Sequence, residues 1–277
     1  MRGPALDASF LTEAGKHGIR VALAVLCAGP SLAALPSCAE IGVVSDGSSV
    51  SYGTANRGKL LDGVRMPNRG PGFVVYAQWQ VRGLRYGTDE LITLLTEVGD
   101  RMRQFGGAPL GIGDLSFIDG GSAAPHHRSH ESGRDVDLLL YLLDAKGQSM
   151  VSNAMLIVDD DGRIADGSGV RLDVARTWLL VKQLMVAQAA DVQHVFLAEP
   201  LIQLVLDHAR ALAEPAAVVE RARDLLSQPA PNAPHNDHMH VRIYCSAEDA
   251  SRGCVDFGAA HYRKKSNYLV DGVSHLL

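Results

Sequence analysis

Positive charge is not in excess in this sequence, and aromatic residues are scarce. The chain has 277 residues and a net charge of -5, whereas a nucleic-acid interface usually needs a basic patch. Aromatic residues make up 5% of it, too few for a stacking surface that binds single strands. Apolar residues (47%) and charged residues (21%) are at the levels of an ordinary soluble globular protein. The composition therefore excludes nucleic acid as a partner and leaves the fold open.

The N-terminal region has no apolar run long enough to span a bilayer. The run at residues 19–35 is interrupted by Gly29 and Pro30, and it falls short of the roughly 20 apolar residues that a membrane helix needs. Basic residues stand at its start and it contains no acidic residue, which is the layout of a secretory signal. A buried N-terminal helix is the alternative for a run of this length. The layout predicts export to the periplasm.

A cysteine follows the apolar run directly. The tetrapeptide Leu35-Pro36-Ser37-Cys38 resembles an imperfect bacterial lipobox, in which the cysteine is lipidated and becomes the mature N-terminus. Cleavage nearby without lipidation is the alternative, because Pro36 is unusual in a lipobox. We therefore expect residues 1–38 to form a leader and residues 39–277 to form the mature domain. Lipidated Cys38 would be the one membrane anchor.

Cysteine is rare, with four residues in the chain. Cys27 lies in the apolar run and would be removed with the leader, which leaves Cys245 and Cys254 as a pair. In an oxidising compartment such a pair is expected to form a disulfide, with two buried thiols as the alternative. The sequence has no Cys-X-X-Cys motif, so a zinc ribbon is excluded.

The apolar periodicity predicts an α+β fold. Dense or β-branched apolar runs predict strands, and apolar residues three or four apart predict helices, the first of which Thr88 caps. Residues 39–72 are rich in Gly, Ser, Asn and Arg, which predicts an irregular arm packed over the domain. We expect a single domain with helices packed on a mostly antiparallel sheet. The predicted strands are 73–81, 110–118, 136–143, 193–197 and 238–244, and the predicted helices are 88–104, one starting at Asp173, 200–212 and 214–226.

Histidine is concentrated in two short segments. Of eleven histidines, six lie within residues 126–130 and 235–240. Catalytic metal sites assemble from such distant segments, so we expect a metal centre. Surface histidines without a metal are the alternative.

Two histidines and one carboxylate suit a catalytic zinc ion, because three protein ligands leave an open position for hydrolysis. His130 can lie on a loop while a carboxylate projects from the following strand. Asp135 and Asp137 share one strand face, so spacing alone does not choose between them. His238 and His240 also share a face, so that one can bind the metal while the other lies beside it.

The same two segments carry a family resemblance. The stretches SHESGRDVD (129–137) and HNDHMHVR (235–242) are similar to the motifs of the penicillin-insensitive murein endopeptidases, which share a wider group with lysostaphin-type and D-Ala-D-Ala metallopeptidases. The resemblance covers most of the mature chain. Shorter similar segments, in the expected order, are 51–53 through 66–67, 85–87, 113–116 and 173–178.

The resemblance implies roles for individual residues. It selects Asp137 over Asp135, and the zinc ligands that it implies are His130, Asp137 and His240. It implies that His127 and His238 are active-site histidines that do not bind the metal, and that His235 lies at the rim. A neutral histidine can take a proton from the metal-bound water or stabilise the oxyanion. The sequence departs from the family pattern at Asn236, Met239 and Ala233-Pro234, positions that concern the substrate groove.

The activity that the resemblance implies is zinc-dependent hydrolysis of D-alanyl–diaminopimelyl cross-links in peptidoglycan. Two alternatives remain open at this point. One is a D,D-carboxypeptidase that trims terminal D-Ala from stem peptides, which a blocked pocket with a cation would favour. The other is a catalytically silent lipoprotein that binds zinc or the cell wall, because fold and motif do not guarantee activity.

Overall fold

A seven-stranded sheet lies at the centre of the structure, a computed structural model that describes residues 46–229 and 234–257. The predicted leader 1–38 and its cysteine Cys38 lie outside the described residues. The strands are β1 (Val50–Thr54), β2 (Arg57–Leu61), β3 (Val64–Arg65), β4 (Arg69–Gly70), β5 (Phe73–Val75), β6 (Tyr86–Gly87), β7 (Leu110–Ile112), β8 (Asp135–Leu139), β9 (Leu142–Leu143), β10 (Ser149–Met150), β11 (Arg171–Leu172), β12 (Val192–Phe196), β13 (Leu226–Ser227) and β14 (His238–Ile243). The helices are α1 (Ala77–Gln80), α2 (Asp89–Arg103), α3 (Val174–Val186), α4 (Glu199–Ala211), α5 (Ala216–Leu225) and α6 (Ala247–Arg252).

The strand order in the central sheet is β13-β12-β14-β8-β7-β5-β4. Two neighbouring pairs, β12 with β13 and β5 with β7, run parallel, and the other four pairs run antiparallel. Three small antiparallel sheets of two or three strands accompany it. The prediction of an α+β fold with a mostly antiparallel sheet is therefore confirmed.

Helix α2 begins and ends where its sequence predicts. The Thr88 hydroxyl accepts a hydrogen bond from the backbone N–H of Leu91 at 3.3 Å, which satisfies one of the free N–H groups of the first turn. Acidic residues occupy the first turn and arginines the last, in the favourable sense for the helix dipole. The apolar face, which includes Leu94 and Leu95, is fully buried.

Helices α2, α3 and α4 share one apolar core with the central sheet. Trp178 of α3 and Val205 of α4 are buried in the same cluster as Leu138 of β8 and Val241 of β14. Burial of each such side chain contributes about 1.5–3 kcal/mol. The opposite face of β8 and β14 is thereby left for polar residues. The predicted helices 200–212 and 214–226 and the helix starting at Asp173 are confirmed as α4, α5 and α3, apart from small shifts at their ends.

The segment predicted as an irregular arm contains a β-hairpin, so the prediction for residues 39–72 was wrong in its described part. Strands β1 and β2 pair across a two-residue turn, Ala55-Asn56. The glycine content suggested a loop here. Gly58 instead allows β1 and β2 to approach each other closely, because an added Cβ would lie 2.4 Å from the carbonyl oxygen of Thr54.

Three predicted strands are shorter in the structure. The strand 73–81 ends at Val75, and α1 follows because its turn buries Trp79. The strand 110–118 ends at Ile112, where the polar residues of the site begin. The strand 136–143 is divided into β8 and β9.

The predicted disulfide is confirmed between Cys245 and Cys254, nine positions apart. The bond encloses α6, which follows β14 directly. Its buried sulfurs lie beside Ser51 of β1, with Cys254 Sγ 3.4 Å from the hydroxyl. None of the helices in the described ranges combines the length and the apolar character needed to cross a membrane.

Candidate functional site

Strands β8 and β14 place the predicted site residues opposite one another. In the antiparallel register, His240 pairs with Asp137, His238 with Leu139, and Arg242 with Asp135. Because side chains alternate along a strand, the two aspartates share a face with the two histidines. The structure thus brings the two sequence segments together on the polar face of the sheet.

The loop between β7 and β8 supplies His127 and His130. His130 has a φ of 69°, a conformation that few non-glycine residues adopt. Its backbone N–H donates to Asp135 Oδ2 at 3.2 Å, and its ring Nδ1 donates to the carbonyl of Leu115 at 2.9 Å. These contacts hold the ring in place and direct Nε2 toward Asp137.

Four imidazoles surround the carboxylate of Asp137. Its Oδ1 lies 3.3 Å from His130 Nε2, 3.4 Å from His240 Nδ1 and 3.4 Å from His238 Nε2. Its Oδ2 lies 3.7 Å from His127 Nδ1. His235 is farther out, with its ring centroid 5.0 Å from that of His238.

Three atoms of this cluster fit a bound cation. Both oxygens of Asp137 and Nε2 of His130 are buried without a hydrogen-bond partner among the described residues. A buried carboxylate without partners is costly, and binding of a metal ion removes that cost. Geometry defines two groups that could hold an ion: one of His127, His130 and Asp137, and one of His235, His238 and His240. The predicted ligand set takes two members from the first group and one from the second.

Asp135 is the weaker ligand candidate because its oxygens are already in use. Its Oδ1 accepts from His240 Nε2 at 2.8 Å and from Arg242 Nε at 2.7 Å, and its Oδ2 accepts from His130. The bond from Nε2 leaves the Nδ1 lone pair of His240 directed at Asp137. Burial lowers the pKa of His240 to about 4, so the ring is neutral at pH 7 and able to bind a metal.

Buried charge sets the other pKa values in the cluster. Burial alone would raise the pKa of Asp137, but the positive charges of His130 and His238 hold it well below its ordinary value. Burial lowers the pKa of His238, and Asp137 with Asp237 more than reverses this and raises it to about 10. The carboxylate of Asp137 thus attracts positive charge, as protons or as a cation, and protons must leave before a metal ion binds.

Sequence reasoning assigned no role to two carboxylates that contact the catalytic candidates. Asp114 Oδ2 accepts from His127 Nε2 at 2.8 Å, and Asp237 Oδ1 lies 2.7 Å from His238 Nδ1. Asp114 lies two residues after the end of β7, the neighbour of β8, and this position near a strand end was the available signal. Asp237 adjoins His238 in the chain, which was a plainer signal.

A cleft of about 830 Å³ opens over the cluster. Its walls combine polar side chains with apolar ones such as Met155, Ile157 and Phe196. Arg82 and Arg128 also line it. A cleft of this size accommodates a ligand larger than a single amino acid.

Comparison with known proteins gives one consistent result. The family described as "Penicillin-insensitive murein endopeptidase" matches residues 51–262. A relative with that name from Klebsiella pneumoniae subsp. pneumoniae is 28% identical over 246 residues, covering 87% of this chain and 82% of the relative. Relatives with the same name from Escherichia coli O139:H28 and Shigella boydii serotype 18 are each 28% identical over 239 residues. The matched region covers 84% of this chain and 79% of the length of each relative.

Proposed function

This chain belongs to the penicillin-insensitive murein endopeptidase family, and we propose that it hydrolyses D-alanyl–diaminopimelyl cross-links in peptidoglycan with a zinc ion. The observation that carries the metal part is the buried carboxylate of Asp137, which has three imidazole nitrogens within 3.4 Å and no hydrogen-bond partner among the described residues. The proposal that the substrate is peptidoglycan rests on the family and on the names of its members.

The proposed ligands are Nε2 of His130, the carboxylate of Asp137 and Nδ1 of His240. A donor set with two imidazoles and one carboxylate suits zinc better than magnesium or calcium, which prefer oxygen. Support comes from the outer hydrogen bonds: Leu115 orients His130 and Asp135 orients His240 through the ring nitrogen that faces away from Asp137.

Zinc, when bound, supplies Lewis-acid polarisation of the scissile carbonyl and activation of a water molecule. The chain itself supplies proton transfer and orientation. His238 Nε2 and His127 Nδ1 both face Asp137, close enough to hold or move a proton beside the metal ligands. No glutamate is within the described cluster, so histidine is the proposed base.

The cleft favours an endopeptidase over a carboxypeptidase. It is about 830 Å³ in volume, and its lining runs from Asn56 of the β1–β2 turn to Phe257 beyond α6. A cross-link has peptide on both sides of the scissile bond and needs such room, whereas a terminal D-Ala needs less.

We place the activity in the periplasm. Residues 1–38 are the proposed leader and residues 39–277 the proposed zinc metallopeptidase domain. Peptidoglycan is the proposed partner, and lipidated Cys38 would be the one attachment to a membrane.

Digestion of purified sacculi tests the proposed function. The mature protein, loaded with zinc, should convert cross-linked dimers to monomers, and a chelator should stop this until zinc is restored. His240→Ala serves as the inactive control. Release of D-Ala alone would identify a carboxypeptidase. If the protein binds one metal ion per chain but releases no product, it would be identified as a silent binding protein.

A further inference from the structure

Asp114 contacts the site in three ways although it belongs to neither of the two groups of residues that could hold an ion. Its side chain is 1% exposed, its Oδ2 accepts from His127 Nε2 at 2.8 Å, and the same oxygen forms an ion pair with Arg82 Nη2 at 3.0 Å. Its backbone carbonyl accepts from the N–H of Asp137 at 2.9 Å. One residue thus supports the strand under the carboxylate and holds the ring of a catalytic candidate.

The bond to Asp114 decides which nitrogen of His127 is available. An ionised carboxylate only accepts hydrogen bonds, so His127 Nε2 must carry the hydrogen. In the neutral ring the lone pair is then on Nδ1. Nδ1 is the atom that lies 3.7 Å from Asp137 Oδ2, so the lone pair points at the site.

Arg82 gives this carboxylate a fixed charge partner. It follows α1, and its side chain is 34% exposed at the edge of the cleft. A guanidinium keeps its charge at all relevant pH values, so it is a constant ion-pair partner that orients the carboxylate of Asp114. His238 has a comparable carboxylate in Asp237, but through the opposite ring nitrogen and with 34% of the Asp237 side chain exposed. Asp114, which holds His127, is therefore more buried than Asp237, which holds His238.

We propose that Asp114 is a positioning residue that fixes the Nε2–H tautomer of His127 and the direction of its Nδ1 lone pair, with Arg82 as its anchor. The catalytic part of this inference rests on the proposed peptidase function. The tautomer itself depends on geometry alone and can be measured without turnover.

Long-range ¹H–¹⁵N correlation spectra of the histidine rings, recorded over a range of pH, test the tautomer. The wild-type protein should show hydrogen on Nε2 of His127, assigned by its absence in His127→Ala. Asp114→Asn should give a mixture or the Nδ1–H form, because an amide can also donate to the ring. Asp119→Asn, an exposed position in the same loop, is the matched control and should leave the spectrum unchanged. An Nδ1–H ring in the wild-type protein would overturn the proposal.

Kinetics with zinc-loaded variants test the consequence. Asp114→Asn should keep zinc content and KM near the wild-type values and lower kcat about 10²–10⁴-fold, as expected when a base is held in the wrong tautomer. Arg82→Gln should lower kcat less. In the His127→Ala background, Asp114→Asn should have no further effect, because residues that act through one another are not additive.

Three results would contradict the positioning role. They are full additivity of the two substitutions, loss of zinc in Asp114→Asn, and wild-type kcat in that variant. If the wild-type protein releases no muropeptides at all, the proposed function fails, and the ring spectra still decide the tautomer.

Discussion

At the scale of single residues, the site depends on the two ring nitrogens of each imidazole, one of which makes an outer hydrogen bond while the other faces Asp137. His130 and His240 each use one ring nitrogen for an outer hydrogen bond, to Leu115 and Asp135, and direct the other at Asp137. His238 is held by Asp237 in the same manner. Distances to Asp137 therefore do not by themselves separate ligands from catalytic groups, since His238 and His240 lie equally close.

The two histidines of β14 should differ when each is replaced. We expect His240→Ala to lose both zinc and activity, because Nδ1 of this neutral, buried ring is a proposed ligand. His238→Ala should keep near-normal zinc and lose turnover by about 10²–10⁴-fold, the usual effect of removing a proton-transfer group. The measurement is zinc content beside muropeptide release, with His208→Ala on α4 as a distant control. Loss of zinc in His238→Ala, with retention in His240→Ala, would reverse the assignment.

Gly133 sets the path of the chain from the histidine loop into β8. It has a φ of 76°, and an added Cβ would lie 2.6 Å from Leu60 Cδ1. Gly167 has a nearly identical φ of 77° with no atom within 4 Å of the added Cβ, so it separates backbone strain from steric overlap.

We expect Gly167→Ala to lower the free energy of unfolding by about 1–2 kcal/mol, the cost of a left-handed non-glycine residue. Gly133→Ala should cost about 1–3 kcal/mol more because of overpacking, and should weaken zinc binding by displacing the loop that carries His130. Denaturant unfolding and zinc affinity measure these effects. Equal destabilisation by the two substitutions would show that contact with Leu60 is unimportant.

At the scale of secondary-structure elements, α6 is joined to β1 by a buried acid. Asp249 Oδ2 accepts from the N–H of Ser51 at 3.1 Å. Burial, opposed by this hydrogen bond, raises the pKa of Asp249 from 3.8 to about 6. The folded protein therefore binds this proton more tightly than the unfolded chain does. The resulting stability is fully present below the unfolded pKa and is lost as pH rises through about 6.

Asp249→Asn should remove this pH dependence. We expect the unfolding temperature of the wild-type protein, relative to the variant, to fall as pH rises from about 4 to about 7. The exposed Asp207→Asn on α4 should follow the wild-type protein. Parallel curves for wild type and Asp249→Asn would contradict the raised pKa.

The sequence predicted those elements whose signals are local. Thr88 and Asp173 mark helix starts by caps that act within three residues, and both helices are present. The β1–β2 hairpin was missed because its glycines serve contacts with residues distant from them, as at Gly58, whose added Cβ would meet Ser132 at 2.7 Å. Asp114 was missed as a partner of His127 for a similar reason: the contact depends on how β7 pairs with β8.

At the scale of the whole molecule, the proposed leader, residues 1–38, would determine where the enzyme acts. Cys38→Ala should release the protein from membranes into the soluble periplasmic fraction if Cys38 carries a lipid, because a lipid chain supplies most of the membrane affinity. Fractionation and mass analysis of the mature N-terminus measure this, with Cys27→Ala as the control. Unchanged fractionation and an unmodified N-terminus would establish ordinary signal cleavage instead.

The pairing of β8 with β14 brings together residues that are far apart in the chain, such as Asp135 and His240 at a separation of 105 positions. If the chain is exported unfolded, as the proposed leader implies, it would cross the membrane with only fragments of the proposed donor set, and none of them would hold a metal firmly alone. Translocation would then come first, strand pairing second and metal uptake last. Under the proposed zinc dependence, hydrolytic activity would begin only in the compartment that contains the wall, and the metal supply of that compartment, not of the cytoplasm, would control how much active enzyme forms.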